Sequence, residues 1–276
     1  MAFSDTRMDQ LRHILTDAAQ AEILPRFRGL QASDVDTKTS AIDVVTAADI
    51  QAEIRITAAL KAAFPDALVF GEEAWAKDKS VLNGLADAEL AFIIDPVDGT
   101  LNFVKGLPLF GTILSITSKG ETIGGLLYDP LNDSFLMANK GAGAFQVFGD
   151  GETRRVKTAA PTDLSAMSGA LCLMFFPDPI KARVAANLTK IGPFHGLNCS
   201  VFDYWLVSTG SAHFTANFCG MYWDHLAGTL IHAEAGGYNA HFDGTPYNGR
   251  GEPANVLSAP DKDSWELIKR EFLGVA

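Results

Sequence analysis

Apolar and polar positions change period several times along the chain, and each change marks an element. Leu11, Ile14, Leu15, Ala18, Ala19, Ile23 and Leu24 recur at helical spacing, which predicts a helix over 5–28 with Pro25 near its end. Residues 29–46 are polar and predict a loop that contains Lys38. A second helix is predicted over 47–64, with Ile50, Ile54, Ile56 and Leu60 inward and Phe64-Pro65 closing it. Thr46 and Asp49 have the Ser/Thr-x-x-Asp spacing of a cap at its start. Ala67–Phe70 reads as a short strand leading into Gly71-Glu72-Glu73, and 75–90 as a charged connection. Ala91-Phe92-Ile93-Ile94 is apolar without alternation, as in a strand covered on both faces. Pro96 cannot donate to a sheet ladder, so the strand is expected to end there. Asp98-Gly99-Thr100 reads as a tight turn opening onto a short helix.

Four further runs, 112–117, 122–128, 134–138 and 144–147, are separated by turn residues and predict a meander of antiparallel strands. Gly149-Asp150-Gly151 marks a loop and a soft boundary. It divides the chain into a 1–150 half of helices plus mostly antiparallel sheet and a 151–276 α/β half. In the second half, strands at 168–175, 212–217 and 255–259 alternate with helices at 179–191, 199–209, 224–235 and 263–273. Gly236-Gly237 would cap the helix over 224–235.

With 276 residues and 47% hydrophobic content, the chain can bury a large core. The net charge of −11 and the lack of a Lys/Arg cluster argue against a nucleic-acid partner. They do not exclude an anionic substrate, because bound cations can neutralise carboxylates. Cys172, Cys199 and Cys219 lack zinc-type spacing and read as reduced thiols, mostly in the core. No apolar leader and no run of membrane-spanning length is present, so a cytoplasmic protein without a membrane partner is expected.

The acids at element ends change the picture most. Asp95 and Asp98 come off one strand together, Glu72 follows another, and Asp224 opens a helix after Tyr222-Trp223. Hard cations such as Mg²⁺ take oxygen ligands and keep waters that a phosphate can displace. The N–H groups of Gly99 and Thr100 stand where an anion binds at a helix start. Taken singly, Asp224 reads as a helix cap, Asp98 as a turn residue, Thr46 with Asp49 as a cap and Lys38 as a solvated lysine. Together they supply metal-assisted phosphate chemistry.

Asp95-Pro96-Val97-Asp98-Gly99-Thr100 resembles the first signature of the inositol monophosphatase family, a group of Mg²⁺-dependent, lithium-sensitive phosphatases. Trp223-Asp224-x-x-Ala227-Gly228, followed by Glu234-Ala235-Gly236-Gly237, resembles its second. Gly71-Glu72-Glu73 and Val45-Thr46-x-x-Asp49 match two further family segments, Lys38 stands at the family's spacing, and the likeness runs from about residue 11 to 260. The resemblance implies a sugar-phosphatase-like layered sandwich, α+β or α/β, with alternating α-β-α-β-α layers, metals between its halves, and a homodimer. It implies two or three Mg²⁺ per site. Glu72, Asp95 and the Val97 carbonyl would hold the first, Asp95, Asp98 and Asp224 the second, and a third would sit by Glu72. Asp49 and Thr100, with Glu72, would position and deprotonate the attacking water. Asp98, Gly99, Thr100, Lys38, Ser200, Asn217 and Asp224 would meet the phosphate or the rest of the substrate.

The departures concern the substrate. Asn217 stands where inositol phosphatases place a substrate-contacting Glu, and His195-Gly196-Leu197-Asn198-Cys199-Ser200 replaces an Arg followed by Gly-Ser/Thr-Ala. An amide accepts hydrogen bonds from a polyol less strongly than a carboxylate. The implied activity is hydrolysis of a small polyol or sugar phosphate, inositol-1-phosphate-like. Histidinol phosphate, fructose 1,6-bisphosphate and 3′-phosphoadenosine 5′-phosphate are alternatives served by relatives. A regulatory protein that keeps the fold and binds a partner, such as transcription machinery, is the reading from another class. His225 reads as a surface residue ahead of a partner to the site, and Asp203 and Tyr204 as candidates for substrate or subunit contact beside plain core positions.

Overall fold

The computed structural model describes residues 3–40 and 43–275. Helix α1 (Asp5–Ala18) starts at the Ser4 cap and continues through a wider turn over 19–23 and a tight one over 24–26, close to the predicted span. The segment expected to be a loop holds an antiparallel hairpin instead, β1 (Val35–Ser40) and β2 (Asp43–Thr46). Residues 41 and 42, part of that expected loop, lie outside the described residues. Low hydrophobicity hides this hairpin, although Val35, Thr37, Val44 and Val45 are β-branched.

Helix α2 (Ala47–Ala63) opens with a reciprocal capping box between Thr46 and Asp49. Its buried face is Ala48, Asp49, Ala52, Glu53, Ile56 and Leu60. Ile54, expected inside, is 57% exposed. Two acids occupy the apolar stripe, and the helix is rotated to bury them.

Next come β3 (Leu68–Gly71), α3 (Glu72–Lys77), β4 (Ala91–Asp98), α4 (Thr100–Val104), β5 (Gly111–Ser118), β6 (Glu121–Asp129), β7 (Ser134–Asn139), β8 (Gly143–Phe148) and β9 (Thr153–Arg155). These strands form one seven-stranded sheet in chain order, with β3 parallel to β4 and every other pair antiparallel. The turn at 149–151 joins β8 to β9, so the expected boundary falls inside this sheet.

The rest of the chain gives β10 (Gly169–Leu171), α5 (Asp178–Asn187), β11 (Phe194–His195), α6 (Ser200–Ser208), β12 (Phe214–Asn217), α7 (Tyr222–Glu234), β13 (Tyr238–Ala240), β14 (Val256–Ala259) and α8 (Lys262–Leu267). They build a mixed five-stranded sheet in the order β11-β10-β12-β14-β13. The strand expected over 168–175 stops at Leu171, and Leu173–Phe175 form a tight turn. Met174 and Phe175 therefore line a cavity, while Leu173 packs against the core of the second sheet.

Five layers follow from which faces are apolar. Leu11, Leu15, Ile56 and Leu60 of α1 and α2 pack on Phe92, Ile94 and Leu114 of the first sheet. Ile113, Leu127 and Leu136, one residue out of phase, face α6 and α7 through Val201, Tyr204 and Ile231. Helices α6 and α7 also lie against the second sheet. The far face of that sheet, with Phe214 and Leu257, is covered by Val184 of α5 and Trp265 of α8. Each such side chain contributes about 1.5–3 kcal/mol on burial. The α-β-α-β-α order is the layered α+β fold expected from the sequence. Among the described residues no helix is long and apolar enough to cross a membrane.

The middle layer contains a buried histidine with a pH consequence. His232 on α7 donates from Nδ1 to Asn239 Oδ1 (2.9 Å), and Asn239 in turn donates to the Thr229 carbonyl (3.0 Å). Its Nε2 is buried without a partner. Burial pushes the imidazole down to about 4 from its ordinary 6.5. The unfolded chain therefore binds a proton that the folded one refuses between those values. The neutral ring's contribution is complete above pH 6.5 and is lost as pH falls towards 4, by about 3 kcal/mol for a shift of this size. Urea titrations from pH 7 to 4 should show His232→Gln losing less stability than the wild type; parallel curves would contradict the assignment.

Candidate active site

Strand β4 does not end at Pro96. It runs to Asp98, and its pairing with β5 shifts register between Asp95 and Asp98, where Pro96 and Val97 face Thr112 alone. Pro96 is tolerated at this bulge because the irregular pairing asks no ladder bond of it. The Thr112 hydroxyl donates to the Pro96 carbonyl (2.9 Å). The bulge also aims the acids. Residues three apart in a regular strand point to opposite faces; one extra residue resets the alternation, and Asp95 and Asp98 both line the same cavity. Gly99 follows at φ +83°, where a Cβ would lie 2.7 Å from the Leu109 carbonyl, and α4 starts at Thr100.

Asp224, in the first turn of α7, completes the set: Asp95, Asp98 and Asp224 each offer an oxygen within 4.8 Å of the others. Asp95 Oδ1 is buried with no hydrogen-bond partner. Burial first, then repulsion from Glu72, drives the carboxyls of Asp95 and Asp224 well above their usual range. Asp98 rises to about 6 by burial, restrained by hydrogen bonds from the first turn of α6. Those bonds come from Val201 N–H (2.6 Å) and the Cys199 thiol (3.1 Å) to Asp98 Oδ2. Asp98 therefore caps α6 from a different layer and ties the second signature's half to the first. A converging all-oxygen set with an unpartnered buried oxygen and mutual repulsion fits a hard divalent cation.

Asp49 and Thr100 meet here as well. Asp49 Oδ2 accepts from the Thr46 backbone N–H (2.8 Å) and hydroxyl (2.5 Å), while Oδ1 lies 3.1 Å from Thr100 Oγ1. Thr100 Oγ1 is also 2.9 Å from the Val97 carbonyl, so its single proton has two acceptors. Burial raises Asp49 to about 6.

Glu72 lines the cavity but stands outside the three-aspartate set. Lys38, reaching in from β1, pairs with Glu72 (2.8 Å) and Glu73 (2.6 Å). Burial opposes the Lys38 charge, and the two glutamates outweigh it and raise its pKa. Glu73 is pushed up to about 7 by burial and by Glu72. Glu53 of α2 sets where α3 begins. Its two oxygens accept from the Glu73 and Ala74 N–H groups (2.8 Å each), and a Cβ on Gly71 would lie 2.2 Å from Glu53 Oε2. Glu53→Gln would turn an amide N–H towards a backbone N–H. It should cost about 1–3 kcal/mol in urea denaturation. An unchanged urea midpoint would contradict this role.

The cavity that the three aspartates and Glu72 line measures about 360 Å³. Ser200 and Asn217 line it, as do all three cysteines. Cys172 and Cys199 are buried as expected, and Cys219 is exposed. His225, expected at the surface, is buried instead. Its Nε2 donates to the Cys219 carbonyl (3.0 Å), so Nδ1 accepts from Tyr204 Oη (3.2 Å). Burial lowers it to about 4 and keeps it neutral beside Asp224.

A family profile for the inositol monophosphatase family matches residues 7–270. The chain belongs to this family. It is 32% identical over 220 residues to the Nus factor SuhB of Vibrio cholerae, covering 75% of each chain. It is 30% identical over 216 residues to the fructose-1,6-bisphosphatase/inositol-1-monophosphatase of Thermotoga maritima, covering 78% of each. The crystal structure of the extragenic suppressor protein SuhB from Bartonella henselae superposes with a TM-score of 0.80 at 26% identity, over 97% of this chain and 98% of that one.

Within this member of the inositol monophosphatase family, several site residues carry no local motif. Glu53 has one usable signal: it lies four residues after Asp49, on the same stripe of an amphipathic helix. Glu73 is visible only as the neighbour of Glu72, and its bond to Lys38 crosses 35 positions. Trp75, Met174 and Phe175 form an apolar wall that nothing local announces, although Phe175 is 50% exposed.

Proposed function

We propose that the chain is a Mg²⁺-dependent phosphomonoesterase acting on a small phosphorylated metabolite. The observation that carries this is the convergence of Asp95, Asp98 and Asp224 around an unpartnered buried oxygen, beside the Gly99-Thr100 turn. Glu72, Asp95 and the Val97 carbonyl would hold one ion and Asp95, Asp98 and Asp224 a second, with a third site by Glu72. When bound, Mg²⁺ lowers the pKa of a coordinated water and stabilises developing charge on phosphate and leaving oxygens.

The chain's own groups do the rest. The Thr100 hydroxyl accepts a hydrogen bond from the attacking water and passes its own proton to Asp49 Oδ1, 3.1 Å away. Asp49, at about 6, is ionised at neutral pH and yet basic enough to share that proton. The N–H groups of Gly99 and Thr100 hold phosphate oxygens. Lys38 holds Glu72 and Glu73 together, and Ser200 and Asn217 face the rest of the substrate. The same reading takes the chain as two closely packed halves that meet at this cavity, as a lithium-sensitive homodimer, and as a cytoplasmic protein.

The test is phosphate release from a panel of small phosphoesters, with and without Mg²⁺ and Li⁺. Inositol 1-phosphate, histidinol phosphate, fructose 1,6-bisphosphate and 3′-phosphoadenosine 5′-phosphate belong in it. Absence of Mg²⁺-dependent release from every member would sink the reading. The relatives named Nus factors favour one second reading, partner binding through the same fold. A complete set of acids at the cavity supports chemistry ahead of it.

A further inference from the structure

Asp203 has no task in the chemistry above. It lies on α6, one turn beyond Cys199 and Ser200, and lines the same cavity while being 1% exposed. Its Oδ1 is buried without a hydrogen-bond partner. Among the described residues no lysine or arginine lines this cavity, and none pairs with Asp203. A buried acid without a partner destabilises a fold, and such groups concentrate at functional sites.

The rest of the cavity lining narrows what would complement it. Asn217 donates to Thr215 Oγ1 (3.3 Å), which leaves its carbonyl oxygen as an acceptor. Asn198 Oδ1 accepts from the Cys172 thiol (3.2 Å). Trp75, Met174 and Phe175 add apolar surface. The wall therefore offers acceptors, one unpaired acid and an apolar side, with no positive charge. A neutral polyol would satisfy the acceptors but leave the apolar side unused and the acid without a counter-charge. A short apolar chain ending in a cationic N–H donor satisfies all of them.

We propose that Asp203 selects the substrate, a phosphomonoester carrying a protonated amine on a short apolar chain. The ammonium takes the Asp203 carboxylate while the phosphate sits at the Asp95, Asp98 and Gly99 end of the cavity. This rests on the phosphomonoesterase reading and names its substrate class.

The probes are aminoalkyl phosphates of about two to five carbons and alkyl phosphates of the same lengths, compared by kcat/KM in Mg²⁺. The wild type should prefer the amine ester by about tenfold or more at one chain length. Asp203→Asn should collapse that ratio towards one, and Asp203→Ser provides a second variant. Since removing an unpaired buried acid relieves the fold, Asp203→Asn should melt no lower than the wild type. A wild type without amine preference, or a preference that survives both variants, would overturn the proposal. So would an Asp203 ion-paired to a second copy of the chain in the assembled protein. No phosphate release from any ester would overturn the phosphatase reading instead. Calorimetric binding of the same esters to wild type and Asp203→Asn would then decide Asp203 by the same ratio.

Discussion

Replacing Asp95 by Asn should lower Mg²⁺-dependent phosphate release by about a thousandfold, the scale seen when one preorganised electrostatic group is lost. The same variant should melt higher than the wild type when both are measured without Mg²⁺. Both effects come from one feature. Asp95 is buried, one of its oxygens has no partner, and Glu72, Asp98 and Asp224 all raise its pKa. Without a cation this cluster repels itself, and an amide at 95 removes one charge and can donate to Asp224. With a cation the order reverses. Saturating Mg²⁺ at about a hundred times its Kd should stabilise the wild type by about 2.7 kcal/mol and the variant by much less. Parallel melts in EDTA and Mg²⁺, read beside phosphate release, check both halves. A variant as active as the wild type would remove Asp95 from the ion-binding set.

How much of this was legible before the structure depends on whether the chemistry is local. Asp95-Pro96-Val97-Asp98-Gly99-Thr100 is readable because a bulge, a left-handed glycine and a helix start must follow one another within six residues. Even there, Pro96 as a stop signal misled. The strand continues through a bulge, and the bulge turns both acids to one side. The succession of helices and strands was legible because periodicity separates them, whereas their α-β-α-β-α layering was implied by the family resemblance. The β1–β2 hairpin was not, since its polar strands pair mainly with each other and do not announce a core face. On α2, hydrophobicity favours burying Ile54, yet Asp49 and Glu53 take the interior because Thr46, Thr100 and the start of α3 supply their hydrogen bonds. Those bonds span up to 51 positions in the case of Asp49 and Thr100, and no local pattern encodes them.

The Thr100–Asp49 bond yields the second large effect. Thr100→Val keeps the shape and removes the hydroxyl, so kcat should fall by about 10²–10⁴, the range for a lost proton-transfer group. Thr100→Ser should recover most of it. The apparent Mg²⁺ affinity should stay close to that of the wild type, because the variant leaves every carboxylate in place. Asp49 is harder to probe, since its Oδ2 closes the α2 capping box while Oδ1 meets Thr100. Asp49→Asn cannot offer acceptors on both sides, so it should lose activity and also about 1 kcal/mol of stability. Thr46→Ala separates the two roles. It removes the cap's hydroxyl, which accepts from the Ala48 N–H (3.1 Å) and donates to Asp49, and leaves the Thr100 contact intact. It should cost about 1 kcal/mol in denaturation and retain most of the turnover. If Thr46→Ala were as inactive as Thr100→Val, the cap and the proton path would be one device, and the two roles of Asp49 would not be separable.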